Sequence, residues 1–215
     1  MVFNKHLDLE GKHAFLGASN FFWIKDDETG LVKRLVSYYM PLIGTSLHEF
    51  AKSRIEYKEK LTKSEKGAVR VWLYEDGIPW YVVDRLSFDA IYDNLRLYIN
   101  DAIGYSMKPE VILKYSDDCF GTADAISFNE KEKLLRIHDL KTGIMPAHME
   151  QLLIYAALFC LEYKKKPSDL KFELRIYQGG NILLLNPSSE DIESVVKLAI
   201  DANRIIFKEK GGAIL

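Results

Sequence analysis

The sequence predicts an α/β protein, with a mixed central sheet flanked by helices and preceded by a helical elaboration. Three observations carry that prediction. Apolar residues recur at helical spacing through much of residues 1–107. Three strand-like runs then follow one another at 109–115, 119–128 and 133–141. Two more, 171–178 and 181–185, come after one helix-like segment and before another. A chain of 215 residues suits a single domain with a sizeable core, mostly helical over 1–107 and sheet-containing over 108–215.

Each element has its own signal. Residues 1–42 read as an entry arm with short helices, one of them capped by Ser19 and including Phe22 and Trp23. Gly44 is expected to open a strong helix to about Leu61, because Leu47, Phe50, Ala51 and Ile55 lie on one face. Residues 68–87 are ambiguous: Val69, Val71 and Leu73 alternate like a strand, and Asp76-Gly77 signals a turn. Ile91, Leu95, Tyr98, Ile99 and Ala102 predict an amphipathic helix over 88–106. The polar stretch Asn129 to Glu132 makes the second and third strands a hairpin. A helix is expected from about Ala147 to Tyr163, started near Pro146. Gly179-Gly180 turns a second hairpin, and Ser188 or Ser189 caps a last helix to about Lys208.

Composition narrows the function classes. Hydrophobic residues make up 48% and charged residues 28%, the balance of a globular domain. The longest apolar run, Leu152 to Leu161, is far shorter than the roughly 20 residues a bilayer span needs, so no membrane partner is expected. Asn4, Lys5, His6 and Asp8 stand where a secretory signal would have its apolar core, which predicts a cytoplasmic protein. The two cysteines, Cys119 and Cys160, are too few for a disulfide framework, a zinc site or an iron–sulfur cluster, and read as reduced thiols. With 29 Lys and Arg against 31 Asp and Glu, the formal charge is −2. Nucleic-acid binding would therefore rest on local basic patches or on bound metal ions. The basic stretches Lys52 to Lys66 and Lys164 to Lys166 are the fullest patches, although each is ordinarily a solvated helix face.

Three charged residues interrupt apolar strand patterns: Asp124 in the second strand, and Asp139 with Lys141 in the third. Burying them is costly unless something pairs them. Strand alternation puts Asp139 and Lys141 on one face, with His138 and Leu140 on the other. If Phe128 faces Lys133 across the hairpin, Asp124 faces Ile137 and Asp139 lies on the neighbouring diagonal, about 7–8 Å away at the backbone. Two such carboxylates can share a divalent cation, and Lys141 supplies a fixed positive charge beside it. One helical turn separates Gly44 from His48, so the glycine is expected to clear space beside an imidazole. The same spacing puts Gln151 and Tyr155 on one helix face, where a phosphate or a base would meet them. For Trp72, Trp80 and Tyr74, core packing is the ordinary reading and base stacking the alternative.

Asp124 followed by Asp139-x-Lys141 resembles the motif of the PD-(D/E)XK nuclease superfamily. The extended run Asp139-Leu-Lys141-Thr142-Gly143 resembles its RecB-like exonuclease branch. Gly44-Thr-Ser-Leu-His48 resembles that branch's Gly-x-x-x-His motif, and Gln151-Leu-Leu-Ile-Tyr155 its Gln-x-x-x-Tyr motif. The resemblance covers about Ala18 to Tyr155 and departs from the pattern at Ala123, where the superfamily's usual proline would stand.

The resemblance implies a restriction-endonuclease-like core and a Mg²⁺- or Mn²⁺-dependent DNA exonuclease acting in recombination, repair or replication. His48, Asp124, Asp139 and the Leu140 backbone carbonyl would hold the metal. Asp124, Asp139, Lys141, Gln151 and Tyr155 would be catalytic, with Glu110 a secondary candidate. Gln151, Tyr155, Thr142 and His148 would contact substrate. No iron–sulfur cluster is expected. The implied partners are a DNA end or single strand and a recombinase, single-strand-binding protein or helicase. The size suggests a free-standing, phage-type enzyme. The alternative is a catalytically silent DNA-end-binding or scaffold subunit, against which the intact His48, Asp124, Asp139 and Lys141 argue. No RNA-binding signature is visible.

Overall fold

The computed structural model describes residues 1, 3–143 and 146–211. The helices are α1 (Glu28–Tyr57), α2 (Lys66–Glu75), α3 (Trp80–Val83), α4 (Phe88–Gly104), α5 (Glu150–Glu162) and α6 (Ser189–Glu209). The strands are β1 (Lys108–Ser116), β2 (Cys119–Asn129), β3 (Leu134–Leu140), β4 (Lys171–Gln178) and β5 (Asn181–Leu185). They form one five-stranded sheet in the order β1-β2-β3-β4-β5. Neighbours are antiparallel except β3 and β4, which are parallel. Parallel neighbours need a crossover, and α5 supplies it.

The sheet has a core on each face. Helices α1 to α4 pack Ile43, Leu47, Leu73, Val82, Leu95 and Ile99 against Ala125, Leu140 and Tyr177. Helices α5 and α6 pack Leu152, Ala156, Phe159 and Ile192 against Leu135, Ile137, Leu174 and Ile176. The molecule is thus a mixed α/β sandwich, as its strand and helix patterns predict. No helix among the described residues is long and apolar enough to cross a membrane.

Three local expectations are corrected and one ambiguity is resolved. Helix α1 begins at Glu28 rather than at Gly44, because the Asp27 side chain accepts the Gly30 N–H at 2.7 Å and caps it. Pro41 lies inside this helix, and the Thr45 hydroxyl bonds back to its carbonyl. The helix ends at Tyr57, where Lys58 takes the left-handed conformation (φ 58°). The ambiguous residues 68–87 resolve as helices α2 and α3 joined through a turn at Asp76-Gly77, with no strand. Val69 and Leu73 are buried one turn apart while Val71 between them is 51% exposed, so the period is that of a helix. Ser19 caps nothing: the 3₁₀ segment Ala18–Lys25 follows Gly17, whose carbonyl accepts the Trp23 indole N–H. Helix α5 starts at Glu150, later than Ala147, whose N–H is turned to the Gln178 side chain.

Other signals are realised. Gly179 and Gly180 both have positive φ (59° and 78°) and make the β4–β5 turn. Ser188 and Asp191 form a capping box on α6. Trp72 packs edge-on against Phe50, whereas Trp80 is 66% exposed and departs from its core reading. Tyr74 is also exposed. Cys119 and Cys160 are free, and burial pushes the Cys160 thiol up to about 11.

Candidate metal centre

The site begins where β2 and β3 part. Their ladder runs from Asn129↔Leu134 to Ala125↔His138, and Asp124 and Asp139 come next on the two strands. The register differs by two residues from the sequence expectation, because Phe128 faces Leu135. The Asn129 side chain accepts from the Lys131 and Glu132 N–H groups, and Lys133 takes a positive φ before β3 begins. A slip of two preserves which face each side chain takes, so the aspartates are brought together as direct rather than diagonal neighbours. Beyond the ladder, the Asp124 carboxylate accepts the Leu140 N–H at 2.8 Å and bridges the gap between the strands.

Asp139 is 1% exposed. Lys141 Nζ hydrogen-bonds its Oδ1 at 3.1 Å and lies 3.0 Å from Oδ2. Oδ2 is buried with no aligned donor. The ammonium also donates to Gln151 Oε1 at 2.9 Å, and Gln151 Nε2 donates to the Tyr155 hydroxyl at 3.0 Å. A polar chain therefore runs from β3 to α5 through Asp139, Lys141, Gln151 and Tyr155. The Tyr155 ring lies against Gly121, where a Cβ would stand 2.8 Å from Cε1. The Lys141 backbone is held as well. Its N–H donates to the Tyr177 carbonyl, and its carbonyl accepts from Asn94 Nδ2.

His48 arrives from α1. Its Nδ1 lies 3.6 Å from Asp124 Oδ2 and 3.9 Å from Glu110 Oε1. Gly44 positions the helix differently from expectation. A Cβ there would stand 3.3 Å from Thr142 Oγ1, so the glycine clears space for the segment leaving β3, not for the imidazole. Thr142 is thereby a packing partner of α1, one turn before His48.

Glu110 moves to the centre. One ligand atom each from His48, Glu110 and Asp124 lie within 4.8 Å of one another, and this is the one such trio among the described residues. Asp139 stands outside it, tied to Lys141. Glu110 has φ 51°, a left-handed conformation inside a strand. Such a conformation costs a non-glycine residue about 1–3 kcal/mol and persists where surroundings enforce it. The adjacent strand is distorted too. Ala123 joins the α5 core and Ala125 the α1–α4 core, although strict alternation would put both on one face. The trio lines an open cleft of about 410 Å³ with Gly44, Thr45, Glu49 and Thr122.

The electrostatics are those of crowded acids. Burial raises the Asp124 carboxyl to about 6; His48 opposes the shift and Asp139 adds to it. Burial also raises Asp139, and Lys141 pulls it back. Burial lowers His48, but the Glu110, Asp124 and Asp139 carboxylates outweigh that and raise it.

Two other histidines are separate from this centre. His138 is fully buried on the opposite face, with Nδ1 3.2 Å from the Tyr177 hydroxyl. Burial, with Arg175 and Arg136 nearby, depresses it to about 3, so it is neutral. His148 is exposed before α5, 4.0 Å from Glu150 Oε2. Sequence reasoning missed Asn94, 3% exposed on α4. Its signal was a polar residue inside the apolar stripe of Ile91, Leu95 and Tyr98. Compared with known proteins, the chain matches no family model and no curated sequence.

Proposed function

We propose that the chain is a divalent-metal-dependent deoxyribonuclease, with a restriction-endonuclease-like core of the RecB-like PD-(D/E)XK kind. The observation that carries the reading is the donor set: an imidazole and two carboxylates from three elements, with a third, buried carboxylate beside them bonded to an ammonium. Three acids crowded against one another repel unless cations join them, and the Lys141 ammonium, 3.0 Å from Asp139 Oδ2, is a single charge set against three. Oxygen ligands with one imidazole suit Mg²⁺ or, better, Mn²⁺.

His48, Asp124 and Glu110 are the proposed ligands, with Asp139 and the Leu140 carbonyl completing the set. A metal bound there supplies Lewis acidity towards a phosphoryl oxygen and a water of lowered pKa. Lys141, fixed by Asp139 and Gln151, orients the attacking water and stabilises charge growing on the phosphate. Gln151 and Tyr155 hold the phosphate or terminal nucleotide, and Thr142 and His148 are further substrate contacts. The exonuclease mode, the place in recombination, repair or replication, and the recombinase, single-strand-binding protein or helicase partners rest on the motif resemblance.

The test is cleavage of end-labelled linear DNA and covalently closed circular DNA with Mg²⁺, Mn²⁺ or chelator. Metal-dependent loss of the linear substrate is expected, with the closed circle spared. Asp139→Ala should lower the rate by about 10²-fold or more while DNA binding is retained. Wild-type protein inert with every divalent metal, yet still binding DNA ends, would replace this reading with the scaffold one.

A further inference from the structure

We propose that the outer face of the β1–β2 hairpin is a platform on which one unstacked nucleic-acid strand lies as it enters the carboxylate cleft. This inference rests on the nuclease reading and specifies its substrate. It comes from the alternation of the two strands. Val111, Leu113 and Ala123 belong to the core with α5, and Gly121 lies under the Tyr155 ring. The intervening residues therefore face the other way, towards the cleft.

Those residues form three cross-strand pairs. Glu110 and Asp124 are opposite one another between the pairs Pro109↔Ala125 and Val111↔Ala123. Next comes Ile112↔Thr122, then Lys114↔Phe120. The first pair belongs to the candidate metal centre, and Thr122 also lines its cleft. Ile112 is 60% and Phe120 61% exposed. The platform is thus continuous with the cleft, and beyond the acidic pair its exposed side chains are the apolar Ile112 and Phe120, flanked by Lys114, which is ion-paired with Asp117.

The chemistry of the face selects the occupant. Successive pairs advance about 6.6–6.8 Å, a span comparable to one nucleotide of an extended strand. An aromatic ring and a branched aliphatic side chain meet base faces, not phosphates. In a duplex those faces are stacked on each other and hidden, so the face suits a single strand. A protein covering the platform would sit at the mouth of the cleft that the substrate must enter.

The test separates this inference from the nuclease reading. Anisotropy of a labelled oligothymidylate, with Ca²⁺ replacing the active metal, measures strand binding by wild type, Phe120→Ala and Phe120→Trp. Phe120→Ala should weaken binding about 5- to 150-fold, the loss expected for one stacking side chain, with an unchanged melting temperature. Phe120→Trp should restore it, and a blunt duplex of equal length should be indifferent to either change. Unaltered oligothymidylate binding in Phe120→Ala would overturn the platform, as would an equal loss for the duplex. So would a change of oligomeric state on sedimentation, which would assign the face to a second copy of the chain. Wild-type hydrolysis of the p-nitrophenyl ester of thymidine 5′-monophosphate, too small to reach Phe120, scores the nuclease reading alone.

Discussion

Glu110 holds an unfavourable backbone conformation where its carboxylate is useful. Glycine at this position would accept φ 51° without penalty but would remove a proposed ligand. Glu110→Gly should therefore raise metal-free stability by about 1 kcal/mol and lower Mn²⁺ affinity. Urea denaturation and titration calorimetry measure the two quantities. A variant less stable than wild type would show that the left-handed geometry carries no strain. The sequence marks Glu110 only as an acid on the first core strand; its backbone angle depends on neighbouring strands and has no local signature. Asp124, Asp139 and Lys141 are legible for the opposite reason. A charge in an apolar strand breaks a period that a single sequence displays.

At the scale of elements, legibility depended on how strongly neighbours override local pattern. The β4–β5 turn and the α6 cap were readable because both act locally, Gly179-Gly180 through their own backbone and Ser188 through its hydroxyl, which accepts the Asp191 N–H three residues on. Helix α2 is ambiguous in the sequence because Val69, Val71 and Leu73 fit both periods, and packing decides between them. The start of α1 was misplaced because Gly44 resembles a helix boundary, while its small size serves Thr142. Asn94 shows how two elements are locked together. It donates to the Lys141 carbonyl at 3.3 Å and accepts the Gly180 N–H at 3.0 Å, tying α4 to the end of β3 and to the β4–β5 turn. Asn94→Ala should cost about 1–3 kcal/mol through the buried groups left unpaired. Because the Lys141 backbone loses a restraint, turnover should fall more than substrate affinity, a split between kcat and KM that a purely structural role would not produce. Asn94→Asp keeps the acceptor for Gly180 and loses the donor, so it should preserve the turn but not the turnover.

At the scale of the molecule, the site lies where no single layer can build it. α1 belongs to one helical layer, α5 to the other, and the carboxylates to strands β1, β2 and β3. A cation gripped by His48, Glu110 and Asp124 would therefore connect a helical layer to the sheet and bind the folded state far better than the unfolded one. At a hundredfold excess over its dissociation constant, one such ion stabilises by about 2.7 kcal/mol. For a domain of this size that is a rise in melting temperature of roughly 5–10 °C. Mn²⁺ should give the larger rise and Mg²⁺ the smaller at equal concentration, because the imidazole favours the softer ion. His48→Ala should narrow that difference, whereas Asp124→Asn should nearly abolish both responses. Differential scanning calorimetry with chelator as the reference measures all three proteins. Equal shifts in wild type and Asp124→Asn would place the ion elsewhere, and with it the chemistry assigned to the gap between β2 and β3.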